Sequence, residues 1–255
     1  MLSDATRSRF PQSHWILLDR LEHDLLVLRD AEDAQISFIE TSDPLLHFNS
    51  FIDFAIAVYA SKLRQLYEAL AYGLETERYL VYAQSGRAIL ENVATIRYYS
   101  RHVDLLAAHQ AWRNSTLSDP ILRQANLTLD KFLRGTRFSW DAFLEARAED
   151  ITTQPDQPHL AQIHSGTCLC KWFKERPQLE SLYTLLCDLV HPNQGSNLLV
   201  MRSSQQRLVA KEGVGVSAAM FIVAPSLAGI LSAFKDFSDA ISALAALQLQ
   251  HPNAH

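Results

Sequence analysis

Between Ser13 and Ala31 the apolar residues Trp15, Leu18, Leu21, Leu25 and Leu28 recur at steps of three and four, while Asp19, Glu22 and Arg29 fall off that stripe. This period predicts a first amphipathic helix. A second opens at "TSDP", with Asp43 as N-cap and Pro44 at the first helical position, and runs through "FIDFAIAVYASKLRQLYEALAYG" to Gly73 as its C-cap. A third is predicted from Glu77 to about His102 and a fourth from Val103 to Ser115. Asp119-Pro120 then restarts helix as far as Arg134.

From Gly135 to Gly166 the pattern is irregular. It holds a short helical stretch from Trp140 to Ala148 and the loop "TTQPDQPH", the best internal boundary in the chain. Helices follow at Cys168 to Glu175 and at Pro177 to Val190, the latter with proline in a favourable first-turn position. After Asn197, two short runs rich in Leu, Val and Met flank "SSQQ", which reads as a small β-hairpin near residues 198–211. The last helix is predicted from Val216 to Gln248, kinked at Pro225, with a fraying "HPNAH" tail. The fold class is therefore mainly α: a multi-helix bundle with a small hairpin, one helical domain over 1–255 with an irregular loop region at about 135–166.

Composition fits this reading. A chain of 255 residues, 48% hydrophobic, can bury a core, and only eight glycines and nine prolines argue against a turn-rich β-sandwich. A net charge of -5 excludes a globally basic nucleic-acid surface, so any RNA contact must be local. Three cysteines, Cys168, Cys170 and Cys187, fit a reducing compartment, and "MLSDATRSRFPQSHW" lacks the pattern of a secretory signal, so a cytoplasmic location is expected. The stretch from Gly213 to Phe234 carries no charge and is long enough to span a bilayer. Its serines, Pro225, interior glycines and many alanines favour instead a helix buried inside the bundle. No membrane partner is expected.

Two clusters carry candidate chemistry. Arg87 and Glu91 are four residues apart on the third helix, and the small residues Ala83, Ser85, Gly86 and Ala88 let another helix approach closely. The pair is either a solvated surface ion pair or part of a seam. The stretch "LYTLLCDLVHPNQGSN" could supply a facing cluster. Tyr183, Cys187 and His191 fall at four-residue steps, and Asp188, one turn before His191, is placed to orient its imidazole. Pro192 requires the helix to end at His191, and Asn193 in the polar turn that follows can line a pocket mouth. His191 is thus a general acid, an anion ligand or simply the end of its helix.

Other chemistries are disfavoured. His159, His164, Cys168 and Cys170 form no recognised zinc spacing, since Cys-x-Cys within a helix projects its thiols to different sides. The chain contains no glycine-rich phosphate loop, no Gly-x-Ser-x-Gly elbow and no His-Glu-x-x-His. No cofactor or metal is implied.

The combination of "GRAILENVATIRYYSRH" with "SLYTLLCDLVHPNQGSN" resembles bacterial helical proteins of the HEPN-like superfamily, particularly members with an arginine and a glutamate on an early helix and a tyrosine-to-His-Pro signature on a late one. The resemblance implies an all-helical bundle. For catalytic relatives it implies metal-independent RNA cleavage in defence or stress systems, by an Arg and a His four to six residues apart. Arg97 and His102 have that spacing, but on the early helix, and are read as a coincidence. Counting back from His191 reaches only Leu186, Leu185 and Thr184. Two readings stand. One is a HEPN-like protein acting on or binding RNA or a nucleotide, with Arg87, Glu91 and His191 as catalytic candidates and Tyr183, Asp188 and Asn193 as ligand-binding candidates. The other is a non-enzymatic binding or regulatory module in which these residues form a structural network. A homodimer through the third or last helix is compatible with either.

Overall fold

A computed structural model of the chain describes residues 2–32, 43–107, 119–135, 163–192, 194–204, 207–210 and 216–248. The protein is mainly α. In chain order its helices are α1 (Asp4–Ser8), α2 (Trp15–Glu32), α3 (Pro44–Glu75), α4 (Tyr79–Ala107), α5 (Asp119–Arg134), α6 (Ser165–Phe173), α7 (Pro177–Val190), the short α8 (Gln194–Leu198) and α9 (Val216–Ala245). Strands β1 (Met201–Ser204) and β2 (Arg207–Ala210) pair antiparallel between α8 and α9, with Met201 opposite Ala210.

The centre of the bundle is α4, which packs against α3, α5, α6, α7 and α9. Its sequence explains this position. Apolar or small residues occupy nearly every face, and between Tyr79 and Ser100 only Gln84 is exposed. The predicted break near His102 does not exist: the helix continues to Ala107, because nothing in "SRHVDLLA" removes a backbone donor. Residues 108–118 and 136–162, with the expected end of the fourth helix, the helical stretch at Trp140 and the proline loop, lie outside the described residues.

Gly73 is not a C-cap. The second helix runs on to Glu75, and Gly73 sits where α3 meets the start of α4, so close that a Cβ there would stand 2.7 Å from the Tyr82 backbone nitrogen. Glycine is needed for the approach of two backbones, not for a turn. The chain reverses two residues later, at Glu77, with φ of 57°. The N-terminal segment, which has no amphipathic period, closes this end: Arg9 donates to the carbonyls of Leu74 (3.1 Å) and Glu75 (3.0 Å) and pairs with Glu77 at 2.8 Å. A cation on orphan carbonyls at a helix C-terminus is favourable.

From Val216 onward the uncharged stretch belongs to α9, which passes through Pro225 without interruption. Val223, Leu227, Ile230, Ala233 and Phe234 are buried within the core, and the Ser226 hydroxyl meets that of Tyr82 at 2.9 Å. Among the described residues, no helix is long and apolar enough to cross a membrane.

Candidate functional site

The seam between α4 and α7 follows from two apolar stripes. On α7, Leu179, Leu182, Leu186 and Leu189 are buried, at steps of three and four. This stripe sets Tyr183 and Cys187 beside it, toward α4. The small residues of α4 admit the contact: a Cβ at Gly86 would meet Leu186 Cδ1 at 3.4 Å and Ile230 Cδ1 at 2.6 Å. Tyr183 lies against Glu91 and Leu186 against Gly86, so the two helices run antiparallel here.

Three of the candidate residues come together at this seam. The Arg87 Nε–H donates to Glu91 Oε1 at 3.0 Å, and the Tyr183 hydroxyl donates to the same oxygen at 2.7 Å. The Arg87 guanidinium carbon sits 5.8 Å from the Tyr183 ring centroid, and the Phe173 ring centroid also lies 5.8 Å from that of Tyr183. The ion pair is half-buried, so the seam reading of Arg87 and Glu91 describes their setting better than a solvated surface pair. Burial first, and then donation to the Glu91 carboxylate, push the Tyr183 phenol far above its ordinary range. It remains a hydrogen-bond donor. Burial alone would lower the Arg87 pKa, but the hydrogen bond and charge of Glu91 outweigh it and raise it.

His191 stands apart from this trio. It is exposed and serves as the C-cap of α7 through its backbone: its φ and ψ of -69° and 149° are extended, and its N–H donates to the Cys187 carbonyl at 2.9 Å. Pro192 forces this exit from the helix. Asp188, one turn earlier, is exposed. Eight residues separate His191 from Tyr183, about 12 Å along the helix. Asn193 lies outside the described residues.

The Arg-x4-His pair of α4 is committed elsewhere. Arg97 donates to Glu175 at 2.8 Å and to Asp236 at 3.2 Å. His102 stacks on Tyr98 with ring centroids 4.2 Å apart, its Nδ1 2.9 Å from the Tyr98 carbonyl. Of the zinc candidates, His164 is the N-cap of α6, its Nδ1 accepting from the Gly166 N–H at 3.0 Å. Cys168 is buried and Cys170 exposed, and among the described residues no group of His, Cys, Asp and Glu is placed to hold a metal. His159 lies outside the described residues.

Sequence reasoning missed the ion-pair network in which Glu175 and Asp236 join Arg97, Arg101 and Arg176. Its members come from α4, the α6–α7 turn and α9, and no local spacing announces such a set. Comparison of the chain with protein-family models, with curated proteins and with solved structures finds no match.

Proposed function

We propose that the chain is a HEPN-like helical protein that binds RNA or a nucleotide at the α4–α7 seam, in the defence or stress setting that the resemblance implies. The observation that carries this reading is the orientation of Arg87. Glu91 holds its Nε and the Tyr183 ring lies beside its guanidinium, while no described residue engages its two terminal nitrogens. A guanidinium fixed from one side is a ready fork for a phosphate, since little rotamer freedom remains to be lost on binding. His191, exposed at the end of α7, is a second contact for the ligand.

A non-enzymatic module with a structural polar network is the second reading. It is favoured by Glu91 Oε1 accepting from both helices, which ties α4 to α7 without any ligand.

The test is a titration of the wild type, Arg87→Ala, His191→Ala and Asp188→Ala with mononucleotides and short single-stranded RNA, with melting curves alongside. The binding reading expects Arg87→Ala and His191→Ala to lose affinity while keeping their helical signal. Loss of stability in Arg87→Ala with no ligand response in any protein leaves only the structural network.

A further inference from the structure

On a different face of α4, Arg97, Tyr98, Arg101 and His102 join Lys171 and Trp172 of α6 around a cavity of about 170 Å³. Its lining is rich in donors. The Lys171 ammonium lies 4.6 Å from the Tyr98 ring centroid and the Arg97 guanidinium carbon 5.7 Å from that of Trp172. Trp172, 2% exposed, forms one wall of the cavity.

Charge points the same way. Arg97, Arg101 and Lys171 line the cavity, and beside it two carboxylates, Glu175 and Asp236, pair with Arg97, Arg101 and the adjoining Arg176. Glu175 straddles both arginines, bonding Arg101 through both oxygens and Arg97 at 2.8 Å. It is 39% exposed, whereas Asp236 is 11% exposed. A planar carboxylate on two guanidinium forks occupies the geometry that a phosphate takes. Glu175 can turn into solvent; Asp236 cannot.

Size limits the ligand. At about 170 Å³ the cavity is smaller than a drug-sized site and equals the liquid volume of about six waters. That accommodates a phosphate and the first atoms attached to it, not a whole nucleoside.

We propose that this cleft is a phosphomonoester site, in which the phosphate dianion replaces Glu175 on Arg101 and Arg97 and approaches Lys171. A dianion would also balance the cationic excess. The site is independent of the seam, because Arg97 lies ten residues beyond Arg87, about 15 Å along α4 and roughly 80° around it.

The experiment titrates wild type, Lys171→Ala, Arg101→Ala, Glu175→Gln and Arg87→Ala with inorganic phosphate, ribose 5-phosphate, and a short RNA with and without a 5′-phosphate, read by calorimetry and by tryptophan fluorescence against a Trp172→Phe control. Both alanine substitutions are at exposed side chains, so folding is retained. Saturable binding of the phosphorylated probes is expected. Lys171→Ala and Arg101→Ala should weaken it about ten-fold each, Glu175→Gln should tighten it, and Arg87→Ala, which removes the seam site, should still bind inorganic phosphate and ribose 5-phosphate. Equal affinity for ribose 5-phosphate and 5′-phosphorylated RNA identifies a small phosphate ester as the ligand, whereas preference for the RNA identifies a strand end. The proposal is overturned by no saturable response in wild type and Glu175→Gln at millimolar phosphate, by full binding in Lys171→Ala and Arg101→Ala, by weaker binding in Glu175→Gln, or by equal binding of phosphorylated and unphosphorylated RNA in Arg87→Ala, where the seam site is removed.

Discussion

Tyr183 reaches a partner 92 residues earlier in the chain: its hydroxyl donates to Glu91 Oε1 at 2.7 Å, the same oxygen that accepts the Arg87 Nε–H at 3.0 Å. A hydrogen bond to a carboxylate contributes about 1.5 to 3 kcal/mol, and this half-buried one belongs at the low end. Tyr183→Phe should therefore lower unfolding stability by about 1.5 kcal/mol. Glu91→Gln should weaken both of its contacts, and the double variant should lose less than the sum of the two single losses, because both remove one interaction. Additive losses in chemical denaturation would mean that the seam bond carries no coupling.

The glycines at helix crossings separate by what they touch. A Cβ at Gly73 would lie 2.7 Å from a backbone nitrogen, whereas one at Gly229 would lie 2.5 Å from the terminal Cδ2 of Leu182. A backbone cannot step aside; a leucine end can rotate. Helix propensity favours alanine by about 1 kcal/mol at both sites, while overpacking costs roughly 1 to 3 kcal/mol. Gly73→Ala should be destabilising by about 2 kcal/mol and Gly229→Ala within about 1 kcal/mol of wild type. Equal melting temperatures for the two variants would contradict this.

Helix positions were legible in the sequence wherever an amphipathic period met a capping residue. The Asp43–Pro44 start of α3, α5 over Asp119–Arg134 and α7 over Pro177–Val190 all have those signals. Helix ends set by tertiary contact were not legible: Gly73 looks like a stop but serves a crossing, and His102 has no local signal showing that α4 continues. For the site, the four-residue spacings placed Arg87 beside Glu91 and turned Tyr183 toward the seam. At His191 that spacing no longer applies, because Pro192 takes the residue out of the helix into an extended backbone. Asp24 shows a further limit. A charge at that position reads as solvated, yet it lies on the buried side of α2 between Leu21 and Leu28 and is fully buried.

Asp24 gives a pH prediction. Arg20 reaches its Oδ1 at 2.8 Å, its Oδ2 has no partner, and burial raises its pKa above the ordinary carboxylate value despite Arg20. The folded protein thus holds this proton more tightly than the unfolded chain does. Stability contributed by Asp24 therefore falls as pH rises from about 3.9, the unfolded value, through the raised folded value. Asp24→Asn cannot ionise and lacks this slope. Denaturation at a series of pH values should show wild type gaining on Asp24→Asn as pH falls toward 4; a constant difference would remove Asp24 as the source.

His191 should matter little to folding. Its side chain is exposed, and its capping bond is made by the backbone N–H, which alanine retains. His191→Ala should remain within about 0.5 kcal/mol of wild type. A larger thermal loss would give the imidazole a structural part that its geometry does not suggest.

The central claim is that Arg87 is an oriented guanidinium fork for phosphate, and Arg87→Lys tests it most directly because it keeps the charge and removes the fork. Binding of a short single-stranded RNA and of a mononucleotide should be measured by calorimetry on wild type and Arg87→Lys at one salt concentration, with circular dichroism showing equal helix content. The account predicts that affinity falls about ten-fold or more, the loss of roughly one charge-assisted bidentate contact. Unchanged affinity in a folded Arg87→Lys protein, or no binding by wild type, would contradict it.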